Sequence, residues 1–253
     1  MISMKTNYLE SMFSLKHKVC LITGASRGIG FGIAQSFHDA GAIVYGLGRT
    51  PVKDVMCDWN YIKSDVTDKK SITAVLKKIR KDGHNLNVLV NAAGITNPDK
   101  SGNNLTKFKQ TLEVNLVAVF GICSLAIPYL KDSGSGSIIN ITSIGSKIGF
   151  PDNPSYGASK GGLRMLTKAL ANDLGIDSIR VNNIAPGYIK TDMTKLSFEN
   201  ADMNIARRDR TLLDRWGSID DIVGAAIYLA SDASSYVTGS DIFVDGGWTA
   251  KGL

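Results

Sequence analysis

The sequence predicts an α/β fold in which one parallel sheet carries helices on both faces. Three observations point to it. Short apolar runs alternate along the 253 residues with segments of helical spacing. A glycine-rich turn follows the first run, and glycine or polar residues stand at the carboxyl end of each later one. No linker or repeat divides the chain, so residues 17–253 are expected to form one domain. Residues 1–16 show no clear periodicity and read as an extension laid on the surface or disordered.

Composition excludes several classes. A 43% hydrophobic, 21% charged chain is ordinary for a globular protein and argues against disorder. Its 29 basic and 23 acidic residues give a net charge of +6, which suits an anionic ligand. The basic residues are scattered and lack interleaved aromatics, so nucleic acid is not an expected partner. Cys20, Cys57 and Cys123 are odd in number and without ligand spacing. Neither a disulfide framework nor a metal site is expected, and a reducing compartment fits. The N-terminus has no signal-type apolar stretch. The most apolar run, Val114 to Ile127, reads as too short and interrupted to cross a bilayer, so a cytoplasmic protein with no membrane partner is expected.

Taken in order, Lys18 to Thr23 is a strand buried on both faces. Gly24-Ala-Ser-Arg-Gly28-Ile-Gly30 follows it, and Phe31 to Asp39 continues with helical spacing until Gly41. Strand, glycine turn and helix together let backbone N–H groups and the positive end of a helix face a pyrophosphate. Ala42 to Leu47 is the second strand. A carboxylate about 20 residues past the glycines would favour a free ribose 2′-OH. The sequence there is Gly46-Leu-Gly-Arg49-Thr50, without one, so Arg49, helped by Arg27, is expected to pair with a 2′-phosphate. NADP(H) is therefore preferred over NAD(H); an Arg49 that is only a surface residue would leave the preference open.

Asn60 to Ser64 is a short third strand ending at Asp65, which caps a turn or contacts adenine. Asp68 N-caps a polar helix that ends near Gly83. Asn87 to Val90 is the fourth strand, broken by Asn91-Ala92-Ala-Gly94, whose small residues would let a cofactor lie against the backbone. Leu105 to Leu130 reads as one long helix with Asn115 in an apolar setting, where its amide needs a partner. Ser137 to Thr142 is a fifth strand that delivers Ser143 to its end.

Pro154 to Leu174 is a helix, on which Tyr156 and Lys160 stand at i and i+4. A nearby ammonium lowers a phenol's pKa, although the pair alone also fits a half-buried Tyr beside a solvated Lys. Ile179 to Ile184 is a sixth strand ending at Pro186-Gly187. Residues 188–210 are polar and weakly patterned and read as an irregular lid. Ser218 is expected to cap a helix from Ile219 to Ala230, and Asp241 to Val244 is the last strand.

In an open parallel sheet, ligands bind beyond the carboxyl ends of the strands. The singled-out groups all converge there. The motifs T-G-A-S-R-G-I-G at 23–30, N-A-A-G at 91–94, Asn115, Ser143, Y-G-A-S-K at 156–160 and P-G at 186–187 resemble the short-chain dehydrogenase/reductase family, from Leu15 to the end. The resemblance implies a single-domain Rossmann fold, a doubly wound seven-stranded parallel sheet. It also implies hydride transfer between a nicotinamide and a ketone or secondary alcohol.

By this resemblance Tyr156 is the general acid, Ser143 hydrogen-bonds the carbonyl oxygen, Lys160 lowers the Tyr156 pKa and binds the nicotinamide ribose, and Asn115 holds a proton-passing water. Ser26, Ile29, Val66 and Ala92 are expected along the cofactor. Ile189 and Thr191 resemble the positions that reach its carboxamide. Gly145, Lys147, Phe150 and Tyr188 are the expected substrate pocket.

The sequence looks similar both to 3-oxoacyl-[acyl-carrier-protein] reductases and to sugar or polyol dehydrogenases. Arginines that the former offer an acidic carrier correspond here to Ser137 and Asp177, which favours a small polar keto, sugar-acid or polyol-like substrate. The alternatives are the acyl-carrier reductase and a non-catalytic nucleotide sensor or scaffold. The family likeness further implies a homotetramer.

Overall fold

The computed structural model describes residues 8–52, 57–101 and 103–252. Helix α1 (Tyr8–Phe13) buries none of its own residues. It packs by the short turn Asp232–Ser234, with the Phe13 ring 6.5 Å from Tyr228. Leu15 behind it is fully buried, so this part of the extension is anchored to the domain rather than trailing from it. Strand β1 (Val19–Thr23) is buried throughout. Because side chains alternate along a strand, Val19 and Leu21 enter one apolar cluster and Cys20 and Ile22 the other.

The remaining elements follow as α2 (Gly28–Asp39), β2 (Ile43–Gly48), β3 (Asn60–Lys63), α3 (Lys69–Lys81), β4 (Val88–Asn91), α4 (Leu105–Leu112), α5 (Ala118–Lys131), β5 (Gly136–Ile141), α6 (Pro154–Leu174), β6 (Ile179–Pro186), α7 (Lys195–Glu199), α8 (Ala201–Arg208), α9 (Asp220–Ala230) and β7 (Asp241–Val244). The seven strands pair in parallel in the order β3-β2-β1-β4-β5-β6-β7. Residues of α3, α5 and α6 cover one face, and residues of α2 and α9 the other. This is the expected doubly wound Rossmann fold. The order reverses between β1 and β4, which places the crevice beyond their carboxyl ends.

Four sequence expectations are corrected. The long helix is not uniform. Glu113–Val117 forms a π-helical turn joining α4 to α5, with Asn115 fully buried in it. That turn keeps Leu105–Lys131 continuous, so the helix is long and apolar enough to cross a membrane by length and composition, contrary to the reading of Val114 to Ile127. Here Val119, Ile122, Cys123, Ala126 and Leu130 pack into the sheet core instead.

Residues 188–210 are irregular only in part, since α7 and α8 occupy most of 195–208; neither buries a residue, which is why no apolar stripe marks them. Ser218 does not cap α9. Its N–H and hydroxyl donate to Asp221, whose carboxylate also takes a bidentate pair from Arg215, and Ile219 occupies the cap position without a side-chain bond. Asp68, by contrast, does cap α3 by accepting the Lys70 N–H at 2.9 Å.

Candidate active site

A cleft of about 590 Å3 runs across the carboxyl edge of the sheet, from the end of β2 to the start of α7. Its floor is shaped by glycine. A Cβ on Gly30 would stand 2.3 Å from the Gly24 carbonyl oxygen, and one on Gly24 (φ +70°) would stand 2.8 Å from the Ala93 backbone. Only glycine lets the first turn of α2 press onto β1 and lets the 91–94 loop cross over it. Thr23 completes the junction, accepting the N–H groups of Ala92 and Ala93, each at 3.1 Å.

Every cofactor contact expected from the sequence lines the cleft except Asn91. Asn91 is buried beneath it, donating to Asn140 at 2.9 Å and to Cys123, so its side chain joins β4 to β5 and does not line the cleft. Arg49 and Arg27 stand at the β2 end. Arg27 lies 3.7 Å from Asp192 across the cleft, with both side chains about 70% exposed. Asp65 holds its own turn: Oδ1 accepts the Thr67 N–H and hydroxyl, and these bonds with Arg49 nearby keep its carboxyl below the usual range. Tyr61 donates to the Thr50 carbonyl, bracing the loop that carries Arg49.

At the other end, β5 and α6 bring Ser143, Tyr156 and Lys160 together. Ser143 is 7% exposed, and its hydroxyl accepts the Gly145 N–H at 3.0 Å. A hydrogen bond between Ser143 and Tyr156 pulls the Tyr156 phenol pKa down, but burial outweighs it and the net direction is up. Lys160 is buried, its Nζ donating to the Ile141 carbonyl at 2.7 Å and lying 5.8 Å from the centre of the Tyr156 ring. Desolvation depresses its pKa to about 8. The expected lowering of the Tyr156 pKa is therefore not what the protein groups produce; the ammonium is turned to a carbonyl, and desolvation of the phenol dominates.

Asn115 does not line the cleft. Its Oδ1 accepts the Ile95 N–H at 2.8 Å, and its Nδ2 donates to the Ile95 carbonyl and to Ser159. With both amide hydrogens bound to protein, the side chain holds the 94–95 loop against α6 instead of presenting its donors to a water. A Cβ on Gly94 would lie 3.4 Å from Asn115 Oδ1 and 3.6 Å from Lys160 Nζ, so the loop is fixed next to the ammonium.

The expected substrate pocket is assembled in part. A Cβ on Gly145 would stand 2.9 Å from the Phe150 ring and 3.4 Å from Ser143 Oγ, and the Phe150 ring centre is 6.2 Å from that of Tyr188. Lys147 is not in this group; it is exposed, with its ammonium 5.4 Å from the Phe243 ring on β7. Sequence reasoning missed Thr194, whose hydroxyl donates to the Ile189 carbonyl at 2.5 Å and fixes the 189–194 turn. It also missed Trp216 and Trp248, whose rings flank Tyr188 at 5.4 and 5.0 Å. A threonine three residues past Thr191 and the paired Gly-Gly-Trp near the end were the available signals.

Comparison with known proteins places this geometry in context. A family model described as enoyl-(acyl carrier protein) reductase matches residues 24–249. A 2-dehydro-3-deoxy-D-gluconate 5-dehydrogenase of Bacillus subtilis is 37% identical over 96% of this chain and 99% of its own. A 3-oxoacyl-[acyl-carrier-protein] reductase of Chlamydia muridarum is 35% identical over 92% and 98%. Among solved structures, a gluconate 5-dehydrogenase from Burkholderia cenocepacia in complex with NADP and tartrate superposes with a TM-score of 0.91. It is 31% identical and covers 97% of this chain and 100% of its own.

Proposed function

The chain belongs to the short-chain dehydrogenase/reductase family and is an oxidoreductase of CH–OH groups, and on that premise we propose that it interconverts a keto sugar acid and its secondary alcohol with NADP(H). The observation that carries this reading is the meeting of Ser143, Tyr156 and Lys160 at one end of a cleft whose other end presents Arg49 and Arg27.

Bound with its pyrophosphate on the Gly24–Gly30 turn and its 2′-phosphate at Arg49 and Arg27, NADP(H) would supply the hydride. The backbone shape set by Gly24 and Gly30 fits that cofactor. Tyr156 holds the proton that the carbonyl oxygen takes up in reduction, and burial keeps that phenol protonated. Ser143, already oriented by the Gly145 N–H, donates to the same oxygen and stabilises its developing charge. Lys160, anchored on the Ile141 carbonyl, binds the nicotinamide ribose. Asn115 is a positioning residue that keeps Gly94 and Ile95 beside it. Helices α7 and α8 act as the lid over the substrate.

The acyl-carrier reductase is the second reading, favoured by the Chlamydia relative. Against it, Ser137 is buried with its hydroxyl on the Leu229 carbonyl, and Asp177 is acidic and paired with Lys131. Neither offers a cation to an acidic carrier. Steady-state oxidation of NADPH with a 5-keto sugar acid beside an acetoacetyl thioester decides the matter. A kcat/KM at least about tenfold higher for the sugar acid is expected, being the effect of one or two charge-assisted contacts. Preference for the thioester would overturn the substrate reading, and a higher kcat/KM with NADH than NADPH would overturn the role of Arg49.

We also propose a homotetramer that uses the exposed faces of α5 and α6 in one interface and the β7 edge in another. Phe120 on α5 is 51% exposed and Met165 on α6 65%, with Val117 in the π-helical turn just before α5 at 51%, apolar surface on helices whose other side is core. Light scattering on a size-exclusion column should give four chains, and Phe120→Lys should shift the protein to a smaller species. A monomeric unaltered protein would rule this assembly out.

A further inference from the structure

Beside the reacting groups, but not among the residues that line the cleft, stands a box-like aromatic cluster around Tyr188, walled by Phe150, Trp216 and Trp248. The box is one layer of side chains from the chemistry: the Gly145 position touches both Ser143 Oγ and the Phe150 ring, and a charge on Tyr188 is felt by the Tyr156 phenol. Among the described residues, two buried N–H donors in the box have no hydrogen-bond partner, Arg207 Nε and Trp248 Nε1. Trp248 is only 8% exposed. A fully buried donor left unpaired is unfavourable and uncommon in a folded protein. Trp216 makes the contrast, since its indole N–H reaches Asn204 Oδ1 at 3.1 Å. The same wall thus has one indole bound to protein and one covered but unpaired.

Charge points the same way. The Arg207 guanidinium lies 4.9 Å over the Tyr188 ring, held there by an Nη1 bond to the Met203 carbonyl. Arg210 lies 5.4 Å over Trp248, and Lys190 lies 4.6 Å over Phe198, which itself packs edge-on against Trp216. Among the described residues, none of these three cations has an ion-pair partner, whereas the neighbouring Arg208 and Arg215 are paired with Asp209, Asp214 and Asp221. Asp245, close by on the chain, is committed to Gly247 and Thr249. The cluster therefore carries two desolvated donors, Arg207 Nε and Trp248 Nε1, with the exposed cations Arg210 and Lys190 at its rim.

We propose that Arg207 Nε and the Trp248 indole N–H form a carboxylate subsite that holds the far end of the substrate and makes this chain select sugar acids over neutral sugars and polyols. This rests on the keto sugar-acid reading given above and names the residues that impose it. Helix α8 brings Arg207 over the Tyr188 ring, so in this proposal the lid contributes the discriminating charge. Among the described residues, Arg207 is paired with no carboxylate, so none has to be displaced when the substrate's enters.

Two variants test it, Arg207→Gln, which removes the charge, and Trp248→Phe, which keeps a ring and removes only the N–H. The first readout is the ratio of kcat/KM for oxidation of D-gluconate to that for D-sorbitol, with NADP+. Loss of a buried charge-assisted contact should lower this ratio about 10- to 100-fold in Arg207→Gln and about tenfold in Trp248→Phe, mainly through KM. An unchanged ratio in both variants would overturn the proposal.

The second readout is calorimetric binding of tartrate to the enzyme–NADP+ complex, which needs no turnover. Affinity should fall in parallel in the two variants. Tartrate that binds all three proteins equally, or fails to bind the unaltered one, would overturn the subsite. If no sugar acid is turned over but tartrate affinity still depends on Arg207 and Trp248, the reaction reading fails and the carboxylate subsite stands.

Discussion

Replacing Tyr156 by Phe should lower turnover in the reductive direction by at least about a hundredfold while leaving NADPH affinity within a few-fold. A positioned general acid contributes about 10²- to 10⁴-fold, and the substitution removes that one hydroxyl while keeping the ring. The hydrogen bond between Tyr156 and Ser143 goes with it, but the Ser143 hydroxyl still accepts the Gly145 N–H, and Lys160 still holds the Ile141 carbonyl. Because burial raises the Tyr156 pKa, the phenol carries its proton through neutral pH, and reduction should not be limited there by loss of the acid.

Oxidation needs that proton to leave and should quicken as pH rises. Single-turnover decay of NADPH measures the chemical step, and a fluorescence titration measures binding. Turnover retained in Tyr156→Phe would remove Tyr156 from the mechanism. Lost NADPH binding with it would instead assign the residue to the cofactor.

The parts of this protein that could be read from its residues are those that a long-range fold leaves no choice about. Strands β1, β2, β4, β5 and β6 are buried almost throughout, so they appear as uninterrupted apolar runs, and their ends were placed within two residues. The glycines of the 24–30 turn were legible because backbone meets backbone there. What escaped depends on neighbours distant in sequence. The π-helical turn at Asn115 keeps the helical period locally apolar and shows only once Ile95 and Ser159 are in place as partners.

Helices α7 and α8 bury nothing and so leave no stripe to find. The direction in which Lys160 points was unreadable for a related reason. Spacing put it on the face of Tyr156, but the acceptor is Ile141, on another element 19 residues earlier. The box of Arg207 and Trp248 combines a lid helix with the turn after β7, a pairing no local pattern announces.

Lys160→Met should separate catalysis from stability, abolishing most of the first and raising the second. Activity should fall by at least about a hundredfold, because the substitution removes the ammonium beside Tyr156 and the group assigned to the ribose. Stability moves the other way. Burial depresses the Lys160 pKa from 10.5 to about 8, so at neutral pH the folded state carries a desolvated charge that the unfolded chain hydrates freely. That shift corresponds to about 3 kcal/mol, from which about 1 kcal/mol is offset by the lost bond to the Ile141 carbonyl.

A net gain of about 2 kcal/mol should raise the melting temperature by about 4–8 °C in a chain of this size. The pH dependence carries the sign. Below about 8 the side chain is charged in both states and the penalty is present in full. Between about 8 and 10.5 the unfolded chain binds a proton that the native protein does not, so the unaltered protein gains stability as pH rises. The advantage of the methionine variant should therefore be largest below pH 8 and shrink as pH rises, reversing by pH 10.5, where only the lost Ile141 bond remains. Thermal melts of both proteins across that range measure it. A lower melting temperature for the variant at pH 7 would show that the Ile141 contact outweighs the cost of burying the charge, and that Lys160 is held by structure rather than retained for its chemistry.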